Sequence, residues 1–155
     1  MIVTIYNKQK DLPLSVASIK LMIPFLLKNL HVCTDEVIVH FVSQTAIGKI
    51  HADFFNDPST TDCISFPIDS SDTPAGEGKH RILGEIFVCP KTAIDYAKSQ
   101  NLDPYQETKL YIIHGILHLL GYDDLDSPSR RKMRQMEQKC LKICEPFPIF
   151  KKRLS

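Results

Sequence analysis

The alternation of apolar and polar residues divides the chain into short strands and helices. Four stretches rich in β-branched and aromatic residues are typical of strands, at 2–7, 36–42, 63–68 and 81–89. Helical spacing of apolar residues predicts helices at 13–30, 45–55, 90–99, 104–120 and 127–144. Pro13 is expected to open the first of these, Pro24 to kink it, and Ser127 to cap the last ahead of Pro128.

These elements interleave without strict alternation, which favours an α+β fold with a small mixed four-stranded sheet and about five helices packed on it. The length of 155 residues fits one domain spanning 1–155. Helix 104–120 is apolar nearly all round, so it is expected to lie buried at the centre. The polar segment 69–80 is predicted to be a mobile loop.

Two histidines interrupt the apolar helix in the stretch HGILHLLGYDD, residues 114–124. His114 and His118 are four residues apart, roughly 6 Å of helical rise, and therefore share one face. Gly121 suits a left-handed helix stop that would return Asp124 toward that face. Two nitrogen ligands, one oxygen ligand and water form a catalytic type of zinc site. A lone buried histidine is usually a core residue, but the glycine and the acidic residues favour metal binding.

Several other residues around this motif offer alternatives. Gly115 stands where HExxH metalloproteases carry their glutamate, which weakens a peptidase interpretation. Asp126 is an alternative third ligand, and Asp123 is a catalytic candidate that would orient water or an imidazole, against a simple turn role. Asp62 and Glu85 would either line the cleft or end a strand. An Fe(II) oxygenase triad ranks last, because no signal for a cosubstrate is visible.

Charge is distributed unevenly along the chain. The net charge is +1, yet nine of the 19 Lys and Arg lie from Arg130 onward, opposed there only by Glu137 and Glu145. This basic C-terminal helix and the KKR at 151–153 are expected to contact the phosphates of a nucleic acid, although a solvated helix face is the simpler alternative.

The cysteines and the apolar runs indicate where in the cell the protein is expected. The five cysteines are odd in number and form no Cys-x-x-Cys pair, which is typical of reduced thiols in a cytosol. Cys140 and Cys144 are interpreted as core residues rather than a second metal site. The start of the sequence lacks the layout of a signal peptide, and the apolar run 21–27 is too short to span a bilayer. A soluble intracellular protein is expected.

The central motif resembles the signature H-G-x-L-H-L-x-G-Y-D-H of the YbeY family, bacterial endoribonucleases of ribosomal RNA maturation. TDCISFP at 61–67 is similar to the family's T-D-V-L-S-F-P, and LGEIFVC at 83–89 to its L-G-D-I-x-I. Met133 and Glu137 match its M-x3-E in the last helix. The resemblance covers most of the chain in the same order.

The resemblance implies one α+β domain that binds a zinc ion through His114, His118 and position 124. It implies hydrolytic, single-strand-specific cleavage of RNA, in maturation of the small-subunit rRNA 3′ end and in ribosome quality control. The expected partners are ribosomal RNA and ribosomal particles in the cytoplasm, with neither DNA nor a membrane. The native metal, the cleavage position and the oligomeric state remain open.

Two departures from the family pattern qualify these expectations. The family's third histidine is Asp124 here, and a carboxylate makes the site harder, so more tolerance for manganese or magnesium is predicted. The family's arginine, six residues before Thr61, is Phe55, which removes a phosphate clamp and leaves the basic tail as a candidate replacement. Both departures favour an alternative, a ribosome-associated RNA-binding assembly factor with a structural or vestigial metal.

Overall fold

A computed structural model of the chain describes residues 1–55, 61–70 and 78–151. Its four strands are β1 (Ile2–Asn7), β2 (Glu36–Phe41), β3 (Cys63–Pro67) and β4 (Ile82–Val88), in the sheet order β1-β2-β4-β3. The β1–β2 and β2–β4 pairs are parallel, whereas β3 runs antiparallel to β4. The predicted mixed four-stranded sheet is therefore confirmed.

Five helices connect and cover the strands in the described ranges: α1 (Val16–Asn29), α2 (Gln44–Phe55), α3 (Pro90–Gln100), α4 (Pro104–Leu119) and α5 (Ser127–Ile143). The α+β prediction is confirmed, and most predicted bounds lie within one or two residues of the observed ones. Within the predicted loop 69–80, residues 71–77 lie outside the described residues, as do residues 152–155, which include most of the KKR segment.

The predicted start of α1 at Pro13 and the predicted cap of α5 at Ser127 are wrong. Helix α1 begins after Pro13 because Ser15 is its N-cap, with the Ser15 hydroxyl accepting a hydrogen bond from the Ser18 N–H at 3.2 Å. Helix α5 is capped by Asp126 rather than Ser127, since the Asp126 carboxylate accepts from the Ser129 N–H at 2.8 Å. A carboxylate is as good a cap as a hydroxyl, so the sequence alone allowed either residue.

Helix α4 lies at the centre of the core, as predicted. Ile112, Ile113 and Ile116 are fully buried, and the helix packs against β3, β4, α3 and α5. A second, smaller cluster, which includes Ile47 of α2 and Ile64 of β3, lies on the other side of the sheet. The two sides differ because side chains alternate along a strand, and the Cys63 sulfur faces α4.

Two glycines allow α4 to approach the sheet closely. A Cβ atom at Gly115 would lie 2.8 Å from the Cys63 sulfur and 3.1 Å from Cγ2 of Ile86. A Cβ atom at Gly84 would lie 2.4 Å from Cδ2 of Leu119 and 2.7 Å from the Phe66 carbonyl oxygen. The residue between the two histidines is therefore a glycine for reasons of packing, because no side chain fits between this helix and β3–β4.

The cysteines are expected to be reduced, with Cys140 and Cys144 in the core, and no segment is expected to span a bilayer. All five cysteines carry free thiols, and Cys140 and Cys144 are fully buried in the core, which confirms their interpretation as core residues. Throughout the described ranges, every helix falls short of the length and apolar character that crossing a bilayer requires.

Candidate metal centre

The turn after α4 returns the chain toward the histidines. Gly121 adopts φ +96°, its N–H donates to the His118 carbonyl at 3.0 Å, and the Tyr122 N–H donates to the Leu117 carbonyl at 3.1 Å. This pair of bonds is a Schellman motif, in which the left-handed residue satisfies the last carbonyls of a helix. The predicted glycine stop is confirmed, and it is what brings Asp124 back to the helix face that carries the histidines.

The three predicted ligands converge on one point. The Nε2 atoms of His114 and His118 are 2.9 Å apart, and Oδ2 of Asp124 lies 3.7 Å from the first and 3.9 Å from the second. A circle through three atoms with these separations has a radius of about 2.1 Å, the length of a zinc–nitrogen bond. These three side chains, all partly exposed, could therefore hold a metal ion and leave room for water.

A carboxylate on the neighbouring helix orients the first histidine. Nδ1 of His114 donates a hydrogen bond to Oε1 of Glu137 on α5 at 2.7 Å, which leaves the lone pair of Nε2 facing His118 and Asp124. Burial lowers the pKa of His114, but the hydrogen bond and charge of Glu137 and the charges of Asp62 and Asp124 together outweigh it, so the pKa is raised.

Sequence reasoning assigned Glu137 no role beyond its match to the family pattern. The pairing of Glu137 with His114 depends on how α5 packs against α4, across 23 residues of chain. No periodicity or local spacing carries that information, because it arises only when the two helices are placed side by side.

The other two acids of the motif occupy different positions. Asp126, the alternative third ligand, is exposed and serves as the N-cap of α5, where the backbone hydrogen bond from Ser129 lowers its pKa. Asp124 is the acid that joins the histidines. The exposed Asp123 carboxylate accepts from the Leu125 N–H at 3.4 Å, a turn contact. Its orienting role in catalysis stays a prediction.

Asp62 and Glu85 also differ from each other in placement. Glu85 lies in the middle of β4 and pairs with His40. Its neighbours Gly84 and Ile86 face α4, so Glu85 projects from the opposite face of the sheet and neither lines the cleft nor ends a strand. Asp62 directly precedes β3, and its charge helps to raise the pKa of His114.

A cavity of about 360 Å³ opens beside the second histidine. Its wall includes His51 and Phe55 of α2, Thr61, Cys63 and Ser65 in and next to β3, and His118 of α4. Phe55 is 54% exposed, and its ring centroid lies 5.1 Å from that of His51. The position where the family pattern has arginine therefore lies in the wall of a cavity that adjoins the candidate metal group of His114, His118 and Asp124.

Helix α5 begins three residues after Asp124 and presents basic side chains to solvent from Arg130 onward. The exposed members of this set in the described chain are Arg130, Arg131, Lys132, Arg134, Lys139 and Lys142. Lys132 also lies over the ring of Tyr122, 5.6 Å from its centroid, in a cation–π contact beside the turn that carries Asp124. A positively charged surface thus begins next to the candidate metal group.

The fold and the site define a class: an α+β protein whose central helix and following turn carry two imidazoles and one carboxylate that could hold a metal ion beside an open cavity. Comparison with known proteins agrees with that class. The family model described as Endoribonuclease YbeY matches residues 4–145. The chain belongs to the YbeY family, which confirms the resemblance drawn from its motifs.

Individual relatives support the same assignment. The chain is 45% identical to a protein of Protochlamydia amoebophila named Endoribonuclease YbeY, over 88% of this chain and 89% of that one. It is 40% identical to a Chlamydia felis protein of the same name, over 90% and 88%. The solution structure of TM1509 from Thermotoga maritima has a similar fold, with a TM-score of 0.64 at 24% identity, covering 94% of this chain and 90% of that one.

Proposed function

We propose that this protein is a metal-dependent endoribonuclease specific for single-stranded RNA. It would act on ribosomal RNA in small-subunit 3′-end maturation and in ribosome quality control, as one domain over 1–155 in the cytoplasm. The observation that carries the proposal is the convergence of His114 Nε2, His118 Nε2 and Asp124 Oδ2 within 3.9 Å of one another beside an open cavity. Membership of a family whose relatives are named endoribonucleases supports it.

The chemistry that a bound cation would supply is that of a Lewis acid, which lowers the pKa of water and neutralises charge on a phosphoryl oxygen. The protein contributes geometry. Glu137 holds the His114 imidazole in one tautomer and one orientation, at 2.7 Å. The Schellman turn at Gly121 returns the chain so that Asp124 faces both rings. Asp123 is proposed to orient water or a ligand imidazole.

Zinc is the ion proposed first, because two imidazoles and a carboxylate form a ligand set that zinc accepts. The oxygen of Asp124 makes the set harder than three imidazoles would be, so manganese or magnesium is expected to substitute more readily. The metal preference is therefore expected to depend on residue 124.

RNA as the substrate is supported by the exposed basic side chains of α5. Each phosphate contact from lysine or arginine adds affinity that falls with salt and reads no sequence. The first of these side chains, including Arg130 and Arg131, lie within one or two helical turns of Asp126, next to the metal group. An RNA strand bound there would pass the candidate metal centre. Free thiols at all five cysteines suit the proposed reducing compartment.

The test is cleavage of a single-stranded RNA by purified protein after chelation and after reloading with zinc. Chelation should abolish cleavage and zinc should restore it. His114→Ala should lose cleavage while keeping its helical circular dichroism, whereas His80→Ala, which removes an exposed imidazole paired with Glu36, should behave as the wild type. Undiminished cleavage by His114→Ala would overturn the proposal. Unfolding of His114→Ala would favour the assembly factor with a structural metal.

A further inference from the structure

The cavity beside the metal group has a wall that suits a neutral aromatic ligand. Its polar wall includes the hydroxyls of Thr61 and Ser65, and none of the residues that line it in the described ranges is lysine or arginine. The Cys63 thiol in the same wall has its pKa raised by burial and by the charge of Asp62, so it carries no charge at neutral pH. A phosphate would find no lysine or arginine among those described residues to hold it.

Phe55 gives the cavity an open aromatic surface. Its ring is 54% exposed although it is wholly apolar, and one side of it meets His51. Covering an exposed apolar ring with another ring is favourable, and base–aromatic stacking contributes about 1–3 kcal/mol per base to binding. The remaining exposed surface of Phe55 is therefore available to a planar ligand in the cavity.

Two hydroxyl oxygens in this wall can accept hydrogen bonds from a ligand. The Ser65 hydroxyl donates to the Gly115 carbonyl at 3.0 Å, and the Thr61 hydroxyl donates to the Asp62 carboxylate at 3.3 Å. With each hydroxyl proton engaged in these bonds, both oxygens can accept from a ligand. N–H groups at the edge of a base are donors of that kind.

We infer that this cavity binds an unpaired nucleobase of the RNA substrate, stacked on Phe55, while the flanking backbone passes the metal group at His118. The inference rests on the proposed function and deepens it. His118 lines both the cavity and the metal group, so one nucleotide can occupy the first while its neighbour reaches the second. A base inside a duplex is stacked on both faces and paired along one edge, so it cannot enter, which selects single strands.

The cavity volume agrees with a small occupant. At about 360 Å³ it lies at the low end of the range of about 300–1,000 Å³ typical of ligand pockets. That is room for one base with its sugar rather than for a folded segment of RNA. The subsite therefore reads the single-stranded state at one position, and α5 supplies the affinity that does not depend on sequence.

Phe55→Trp makes a sharp probe, because the chain contains no tryptophan. In chelator, where no cleavage occurs, a short oligoadenylate should quench the fluorescence of Trp at 55. A duplex RNA, or the same strand with abasic positions, should leave it unquenched. Phe54→Trp is the matched control, since the neighbouring Phe54 ring packs on Phe66 and does not line the cavity.

Binding measured by anisotropy of labelled RNA gives a second readout. Phe55→Ala should weaken single-strand binding about tenfold, since one stacked base is lost, and Phe54→Ala should leave it unchanged. An unquenched Trp at 55 under saturating oligoadenylate, or equal quenching at 54, overturns the base subsite even if the wild type cleaves RNA. Quenching at 55 alone supports the subsite, and it would still stand if no cleavage were found and the proposed function failed.

Discussion

Oε1 of Glu137 lies 2.7 Å from Nδ1 of His114, so a carboxylate on α5 orients an imidazole on α4. Removal of such a partner typically reduces metal affinity 10- to 100-fold. We predict that Glu137→Ala weakens zinc binding by about that factor, because the His114 ring becomes free to rotate and Nε2 no longer faces the other ligands. Competition with a chromophoric chelator measures the affinity.

The matched control for that variant is Glu145→Gln, which removes an exposed carboxylate beyond the end of the same helix. It should bind zinc as the wild type does. Glu137→Gln keeps an acceptor for the Nδ1 proton and is expected to lie between the wild type and Glu137→Ala. Equal zinc affinity in all four proteins would show that Glu137 does not support the site.

Replacement of Asp124 and of Asp126 by alanine should have opposite effects on metal affinity and on stability. Asp124→Ala is expected to lose metal affinity with little change in the urea midpoint of the metal-free protein, since the side chain is partly exposed and its Oδ2 lies 3.7 and 3.9 Å from the two imidazoles. Asp126→Ala should lower the midpoint through loss of the α5 cap and leave metal affinity unchanged. A loss of metal affinity in Asp126→Ala alone would contradict the assignment of Asp124 as the ligand.

The Asp126 cap also predicts a pH dependence. Its hydrogen bond from the Ser129 backbone lowers the carboxyl pKa below the ordinary 3.8, so the folded state favours the charged form. The stabilisation is present above that ordinary value and is lost as the pH falls through the lowered one. The difference in urea midpoint between the wild type and Asp126→Ala should therefore be constant near neutral pH and shrink in acid.

Residue 124 should set the metal preference. Asp124→His replaces an oxygen ligand with a nitrogen ligand, and we predict a larger ratio of zinc to manganese affinity than in the wild type. Metal titrations on the two proteins, with Glu145→Gln as a control at an exposed acid beyond the end of α5, give the ratios directly. Equal or tighter zinc selectivity in the wild type would refute the expected effect of the carboxylate.

The two glycines where α4 packs against the sheet should differ in how much stability an added methyl group costs. Gly115→Ala should destabilise the fold by about 1–2 kcal/mol, because its Cβ would meet the Cys63 sulfur at 2.8 Å, and Cys63→Ala should recover part of that loss. Gly84→Ala should cost more, since its Cβ would also meet the Phe66 carbonyl oxygen at 2.7 Å, and backbone cannot move aside. Denaturant unfolding of the three variants measures the differences.

Most of the secondary structure was predictable because it is a local property. Strand and helix patterns follow from side-chain periodicity over a few residues, and α4 was recognisable as central from its apolar surface alone. The errors at Pro13 and Ser127 have the same local origin. Several residues near each helix start could act as the cap, and at α1 residue Leu14 pairs with Phe150 and lies outside the helix.

The sequence by itself determined the three candidate ligands, because His114 and His118 share a helix face by spacing and Gly121 returns Asp124 by its backbone conformation. Only the tertiary structure decided that Glu137 supports His114, that Asp126 is a cap, that Glu85 faces the other side of the sheet and that Phe55 lies in the cavity wall beside His118. Those relationships join elements far apart in the chain, and the packing of one element on another creates them.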